Sequence, residues 1–443
     1  MSYLDNILFA ILLIIGFGYF YNSVKKIIRN INLGTAINRK DNPNARWKNM
    51  AMIALGQSKM VKRPIAGVLH IIVYVGFVII NIELLEIIID GLFGTHRVFS
   101  FLGITYDVLI ASFEILALLV LVAVTIFWIR RNSIKLKRFI SSDLNGYPKK
   151  DANYILYFEV VLMTLFLLMN ASDLHLQNVP GGFSHFVKAG AFPVSQFIEP
   201  IFNGVSNELV MLLSEIFWWL HIVGILLFMN YLYFSKHLHI LLAFPNTYFA
   251  NLNPQGQFDN LESVTNEVKM MMDPNADPFA AAPATETEVP AKFGASDVQD
   301  LNWVQLLNAY TCTECGRCTS SCPANLTGKK LSPRKIMMDT RDRLEEVGKN
   351  IDANKGVFVP DNKSLLNDYI TAEELWACTS CNACVEECPV SISPLSIIMD
   401  MRRYLVMEQS AAPMPINAMM TNIENNGAPW QYNQQDRLNW KNE

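Results

Sequence analysis

The hydropathy pattern of the chain changes at Pro245. Before it stand five apolar runs, at roughly Ile7–Val24, Ile65–Ile89, Asp107–Ile129, Tyr154–Ala171 and Glu208–Ser235. Each is near or above the ~20 residues that span a hydrocarbon layer as a helix. The first lacks a small-residue cleavage site and is followed by further spans, so it reads as a retained helix and not a signal peptide. After Pro245 the pattern is that of a soluble helical protein. Pro333–Val347 and Pro394–Met407 both begin with proline in the first turn and alternate apolar with charged positions at helical spacing. Between the halves, the Pro-, Ala- and Glu-rich stretch from Asp273 to Lys292 has too few large apolar residues to fold and predicts a flexible tether. The expected architecture is an all-α membrane domain of five helices over 1–245, a partly disordered linker over 246–295, a mainly helical domain over 296–410, and a partner-binding tail over 411–443.

Charge gives that architecture an orientation. Residues 24–63 carry ten Lys and Arg and residues 129–153 carry seven, whereas the alternate loops hold only Arg97 and Lys188. The positive-inside rule then puts the N-terminus outside and, after five crossings, everything beyond Pro245 in the cytoplasm. A net charge of −4 says nothing of partners, and no basic patch interleaved with aromatics points to nucleic acid.

All eight cysteines sit in two runs, Cys312-x-x-Cys315-x-x-Cys318-x-x-x-Cys322-Pro and Cys378-x-x-Cys381-x-x-Cys384-x-x-x-Cys388-Pro. This is bacterial ferredoxin spacing, in which three close thiolates hold three corners of a [4Fe–4S] cube and the fourth cysteine serves the other cluster. It predicts two clusters with crossed ligation, one on Cys312, Cys315, Cys318 and Cys388, the other on Cys378, Cys381, Cys384 and Cys322. A pair of zinc sites is the alternative, but zinc needs two short pairs and these runs each add a third and a fourth cysteine. No cysteine remains for a disulfide, which suits a reducing compartment and again places this domain in the cytoplasm. The 55 residues between Cys322 and Cys378 exceed what a minimal ferredoxin needs. They are expected to pack around the clusters or to present a docking face.

Histidine within a span is costly unless paired, and so marks function. His70 lies in the second run. His221 and His239 are eighteen residues apart on the fifth helix and its continuation, which is five whole turns and puts both imidazoles on one face about 27 Å apart. That spacing suits two haems stacked across a bilayer. His237 beside Lys236 reads as an interfacial cation. Asn81, Glu83, Glu86, Glu114, Glu159, Asn170 and Asp173 also fall in the spans, either delivering protons at a quinone pocket or bonding to a neighbouring helix.

The run Gly56-Gln57-Ser58-Lys59-Met60 through Arg63-Pro64-Ile65-Ala66-Gly67-Val68-Leu69-His70, with Trp218-Trp219-Leu220-His221 and Ser235-Lys236-His237-Leu238-His239, resembles the b-type cytochrome family typified by the gamma subunit of respiratory nitrate reductase. The resemblance implies b haem ligation by His70 and His239 nearer the cytoplasm and by His221 nearer the outer face. The family's fourth histidine would fall at Ile80. An outer haem would then use His221 with a substitute such as His175 or His96, or be five-coordinate, or be absent. The cysteine half and the tail Asn422–Trp430 resemble the C-type iron–sulfur subunit of heterodisulfide reductase. Together the likenesses imply an inner-membrane, quinone-linked oxidoreductase subunit. It would relay electrons between quinone, haem b, two [4Fe–4S] clusters and a cytoplasmic partner, either a CCG-domain iron–sulfur protein or an electron-transfer flavoprotein. The alternatives are a subunit of a hydrogenase- or formate-dehydrogenase-type complex, or a membrane redox sensor.

Overall fold

The computed structural model describes residues 3–179, 187–274, 292–431 and 433–442. The tether expected between Asp273 and Lys292 lies almost wholly outside them. Five long helices form where the apolar runs stand: α1 (Tyr3–Ile31), α2 (Pro64–Phe93), α3 (Ile104–Trp128), α4 (Tyr147–Gln177) and α5 (Asn207–Tyr231). Each is long and apolar enough to cross a bilayer, and a helix suits such runs because it satisfies the backbone N–H and C=O groups internally. Pro64 opens α2, where its missing N–H costs nothing. Ser206 caps α5 by accepting from the Leu209 N–H.

Sequence neighbours from α2 to α5 pack side by side, and α1 closes the ring by packing on both α2 and α5. At Gly76 the helices come so close that a methyl group would lie 2.6 Å from Val120 Cγ2, the kind of approach small residues permit between membrane helices. Side chains such as Ile14, Val68, Val108 and Leu227 point outward and stay exposed, as a lipid-facing surface requires.

The fifth helix does not run on to His239. It ends at Tyr231, and Ser235 takes an extended conformation between two short 3-10 turns. A new helix, α6 (His239–Tyr248), starts at the histidine itself. The five-turn spacing inferred for His221 and His239 therefore fails, because the periodicity is broken between them.

The second half is helical throughout: α7 (Trp303–Thr311), α8 (Pro333–Ala353), α9 (Pro394–Arg403) and α10 (Met414–Asn426), with no strand among the described residues. The two predicted prolines stand at the starts of α8 and α9, each beside a serine cap: Ser332 accepts from the Lys335 N–H and Ser393 from the Ser396 N–H.

This half is seated on the membrane ring. Ile27 and Ile31 of α1, with Leu232 and Leu238, share one apolar core with Leu306, Leu307, Tyr310, Ile336 and Val347. Around that core, Asn30 Nδ2 donates to Tyr310 Oη at 2.8 Å, and Arg29 pairs with Asp352. At Gly348 an added methyl would strike Asn30 at 2.5 Å. Asn246 and Thr247, at the start of the segment expected as linker, are fully buried; Asn246 Nδ2 donates to the Val390 carbonyl at 2.7 Å and its Oδ1 accepts from Asn308 at 3.0 Å. The chain here is a packed joint, because α6 lies against α7 and not in solvent. The 55-residue insert contributes α8 to that joint.

The N-terminal end of α1 lies at the far end of the ring, where Asn6 Nδ2 donates to the Leu92 carbonyl. The cysteine half thus shares its end with the two loops rich in Lys and Arg.

Candidate functional site

The membrane ring encloses a cavity of 480 Å³ that opens toward the cysteine half. His70 from α2 and His239 from the start of α6 face each other across it, ring centres 6.3 Å apart and planes tilted by 41°. An imidazole nitrogen sits about 2.0 Å from a bound metal. It sits about 1.2 Å from its own ring centre, since aromatic C–N bonds are near 1.33 Å. Two imidazoles on opposite sides of one metal ion therefore have centres about 6.4 Å apart. His239 Nδ1 lies 3.2 Å from the Lys236 carbonyl, which can only accept, so Nδ1 carries the proton and Nε2 is the free ligating atom. His70 Nδ1 has no partner in the protein.

The rest of the wall fits a haem. It is mostly apolar, with Tyr74, Val120, Leu156, Phe228 and Phe244 among its members. At the end nearest the cysteines, Arg131 and Arg138 line it, each with a buried Nε that bonds to nothing in the protein. Two guanidinium groups there can receive the two propionates of a haem. Sequence reading counted both arginines only as signs of topology; their second use follows from the loop folding over the cavity mouth.

His237 does not face the water at the interface. It lies in the same wall, 5.3 Å from His239 and 5.5 Å from Phe228 between ring centres, with its Nε2 3.8 Å from Glu159 Oε1, and burial holds its imidazole well below the usual range. His221 also lines the cavity, nearly fully buried and 6.0 Å from the Phe166 ring. The substitutes considered for a second axial ligand are engaged elsewhere: His175 Nδ1 is 2.6 Å from Glu199, and His96 Nε2 is 3.2 Å from Asp173. Ile80 stands in the wall where the missing histidine would be.

Most of the membrane acids are fastening. Glu86 accepts from Tyr106 Oη at 2.8 Å and from the Phe99 N–H at 2.9 Å. Glu114 accepts from the N–H groups of Val194 and Ser195, and Asp173 accepts from the buried Arg97 at 2.5 Å. These bonds pin the α2–α3 and α4–α5 loops onto the helices. Glu83 and Glu159 differ, since both line the cavity.

Cys315 lines the same cavity, together with Glu314, Arg317, Pro389 and Val390. It also lines a second, smaller cavity with Cys312, Cys318, Cys388 and Cys384. The short helical turns that carry Cys318 and Cys384 pack on one another, so the fourth cysteine of each run reaches across to the other. Cys388 has Cys315 as a close neighbour, and Cys322 is a neighbour of both Cys378 and Cys384. Burial pushes the Cys312 and Cys384 thiols up to about 12 and Cys388 to about 11. Thiols so placed ionise when a metal centre takes the proton's place. Among the described residues no three His, Cys, Asp or Glu side chains converge on a single ion.

Salt links fix the cysteine half over the cavity mouth. Lys236, next to the His237–His239 run, pairs with Glu314, which also takes Arg341 at 2.9 Å. Burial works against a charged Glu314, but Lys236 and Arg341 hold its carboxyl below the usual range. Arg317 donates to the Lys59 and Met60 carbonyls at 3.3 and 3.4 Å.

Residues 311–392 match the family described as the 4Fe-4S dicluster domain. The cysteine half is therefore a domain for two [4Fe–4S] clusters. Over 433 residues, 91% of this chain, the sequence is 30% identical to the protein named "Probable iron-sulfur-binding oxidoreductase FadF" of Bacillus subtilis. Over 436 residues, 92% of this chain, it is 25% identical to the "EtfAB:quinone oxidoreductase" of Syntrophomonas wolfei. The chain spans 55% of the length of each. The dicluster region is also 34% identical over 107 residues to one of the subunits of a CoB-CoM heterodisulfide reductase of Methanosarcina acetivorans, covering 24% of this chain and 52% of that one. No solved structure matches the chain.

Proposed function

We propose that the chain is a membrane electron-transfer subunit that carries electrons between the quinone pool and a cytoplasmic redox partner. Its membrane half is a b-type cytochrome similar to the nitrate reductase gamma subunit, with a haem b between His70 and His239. The observation that carries the reading is one cavity shared by both centres: its wall includes the facing histidines and also Cys315 of the dicluster domain. A bound haem supplies one-electron carriage at that point. His70 and His239 would hold the iron, Arg131 and Arg138 would neutralise the propionates, and the apolar wall would exclude water.

The cluster on Cys312, Cys315, Cys318 and Cys388 is then the one beside the haem. The cluster on Cys378, Cys381, Cys384 and Cys322 is the far one, and Cys381, the one exposed cysteine, marks where electrons leave or enter. The name of the Syntrophomonas relative, which joins an electron-transfer flavoprotein to quinone, supports a partner of that class; a CCG-domain iron–sulfur protein is the other candidate. The dicluster domain faces the cytoplasm, since it shares its end of the ring with seventeen Lys and Arg in the two basic loops.

The test is an equilibrium redox titration of the purified protein in liposomes against a menaquinol/menaquinone couple. Haem and both clusters should follow the couple reversibly. Centres that stay reduced when quinone is added would leave the redox-sensor reading in its place.

A further inference from the structure

Among the described residues five arginines are buried: Arg46, Arg97, Arg317, Arg334 and Arg343. Four of them hold a carboxylate within 2.8 Å, on Asp41, on Asp173, on Asp143, and on Asp297 and Asp361 together. Arg317 is 3% exposed and makes no ion pair with any described residue. Its guanidinium donates to the Lys59 and Met60 carbonyls at 3.3 and 3.4 Å and to Met60 Sδ at 2.9 Å. Burying a charge without a counter-charge is costly, so this cation is placed for an anion. Arg317 lines both the large cavity and the small one walled by Cys312, Cys315, Cys318 and Cys388. Glu314 is the other charged residue on both walls, and Lys236 and Arg341 already neutralise it. Burial works against the charge of Arg317; Cys315 is the strongest of the groups that favour it, and Cys388 is another.

We propose that Arg317 is the resident counter-charge of the cluster on Cys312, Cys315, Cys318 and Cys388, and that it raises the reduction potential of that cluster. The proposal rests on the reading that these four cysteines hold one cube. A cube on four thiolates is anionic, and its potential depends on net charge, hydrogen bonds and exposure. Reduction adds one electron, hence one negative charge, and no proton. A guanidinium, always charged, stabilises the reduced form more than the oxidised one. At an effective dielectric constant of about 20, unit charges about 10 Å apart shift one another's equilibria by about tenfold. Two segments hold the side chain in place. Gly316, at φ +71°, turns the chain into the short helix that begins at Arg317, and a methyl added there would lie 2.6 Å from Arg334 Nη1. The carbonyls that Arg317 bonds belong to the α1–α2 loop, so the membrane half positions a cation for the cysteine half and enters its potential.

The experiment is a dithionite titration of the full chain with redox mediators, read by low-temperature electron paramagnetic resonance, for wild type, Arg317→Gln, Arg317→Met and Arg317→Lys. Cys315→Ser shows which signal belongs to the cluster in question. Iron and sulfide analysis, with about eight of each per chain for two cubes, checks loading. At a fixed ambient potential the oxidised-to-reduced ratio of this cluster should rise about tenfold in both neutral variants, which is a midpoint about 59 mV lower for a one-electron couple. Arg317→Lys should restore most of that shift, and the cluster on Cys378, Cys381, Cys384 and Cys322 should move much less in every variant. An unchanged midpoint in neutral variants that keep both clusters would overturn the proposal. So would a midpoint that falls as far in Arg317→Lys, or loss of the clusters from both neutral variants, since either leaves Arg317 a packing role alone. If Cys315→Ser and Cys388→Ser alter different signals, the cluster reading beneath the proposal falls instead.

Discussion

Replacing Arg334 by methionine should unseat the dicluster domain from the membrane ring. Arg334 is fully buried in the first turn of α8, and its Nη2 and Nε donate to Asp143 at 2.6 and 3.0 Å while Nη1 donates to the Arg138 carbonyl at 2.8 Å. Asp143 belongs to the loop between α3 and α4, so this pair joins the halves, and its side chain is only 7% exposed. Arg334→Met keeps the aliphatic stem but leaves a buried carboxylate without its cation. Breaking a buried pair from one side costs about 3–5 kcal/mol, whereas replacing both partners by apolar side chains is often close to neutral. Arg334→Met/Asp143→Leu should therefore recover most of what the single change loses. Burial alone would raise the Asp143 carboxyl, and the Arg334 guanidinium holds it below the usual range. The stability due to the pair is then present above the unfolded aspartate value of about 3.9 and lost as pH falls through the lower folded value. The gap between wild type and Arg334→Met should narrow in acid. Urea denaturation of the detergent-solubilised protein, followed by visible absorbance of the clusters, measures all of this. A single variant within about 0.5 kcal/mol of wild type, the range of neutral surface changes, would refute the reasoning, as would a double variant no better than the single.

Three further outcomes follow from the same geometry. Cys322→Ser should alter the cluster held by Cys378, Cys381 and Cys384 and leave its sequence neighbours' cluster intact, as followed by electron paramagnetic resonance; loss of the Cys312 cluster instead would contradict crossed ligation. His70→Ala should abolish the low-spin reduced b band, while Arg138→Gln should keep the band but release haem more readily to an apo-globin acceptor; an unchanged band in the first variant would remove the haem from this site. A reporter fused after Glu443 should be active in the cytoplasm, and activity confined to the other side would reverse the orientation.

The parts legible in the sequence are those written as a repeat. Apolar runs of fixed length gave all five spans, and the cysteine spacing gave the dicluster domain, because each is a local pattern with one physical solution. His70 and His239 were found through the cost of a lone histidine in an apolar setting, although the two meet only because the chain breaks at Ser235 and restarts at His239. The same break spoiled the five-turn argument for His221, which assumed an unbroken helix. The joint between the halves was illegible. It is made by single polar residues such as Asn30, Asn246 and Arg334, each from a different segment, and no spacing relates them. Composition could not show that Asn246 and Thr247, ordinary polar residues beside a proline, are fully buried against α7.

The central claim is a single electron path from quinol through the His70/His239 centre to the clusters, and rapid mixing tests it most directly. Protein in anaerobic liposomes is mixed with a menaquinol analogue, and haem and cluster absorbance are followed together, for wild type and for His239→Ala. The path predicts that haem is reduced first and the clusters after it. It also predicts that the clusters of His239→Ala stay oxidised with quinol yet are reduced by dithionite. Clusters reduced by quinol at the wild-type rate in His239→Ala would contradict it.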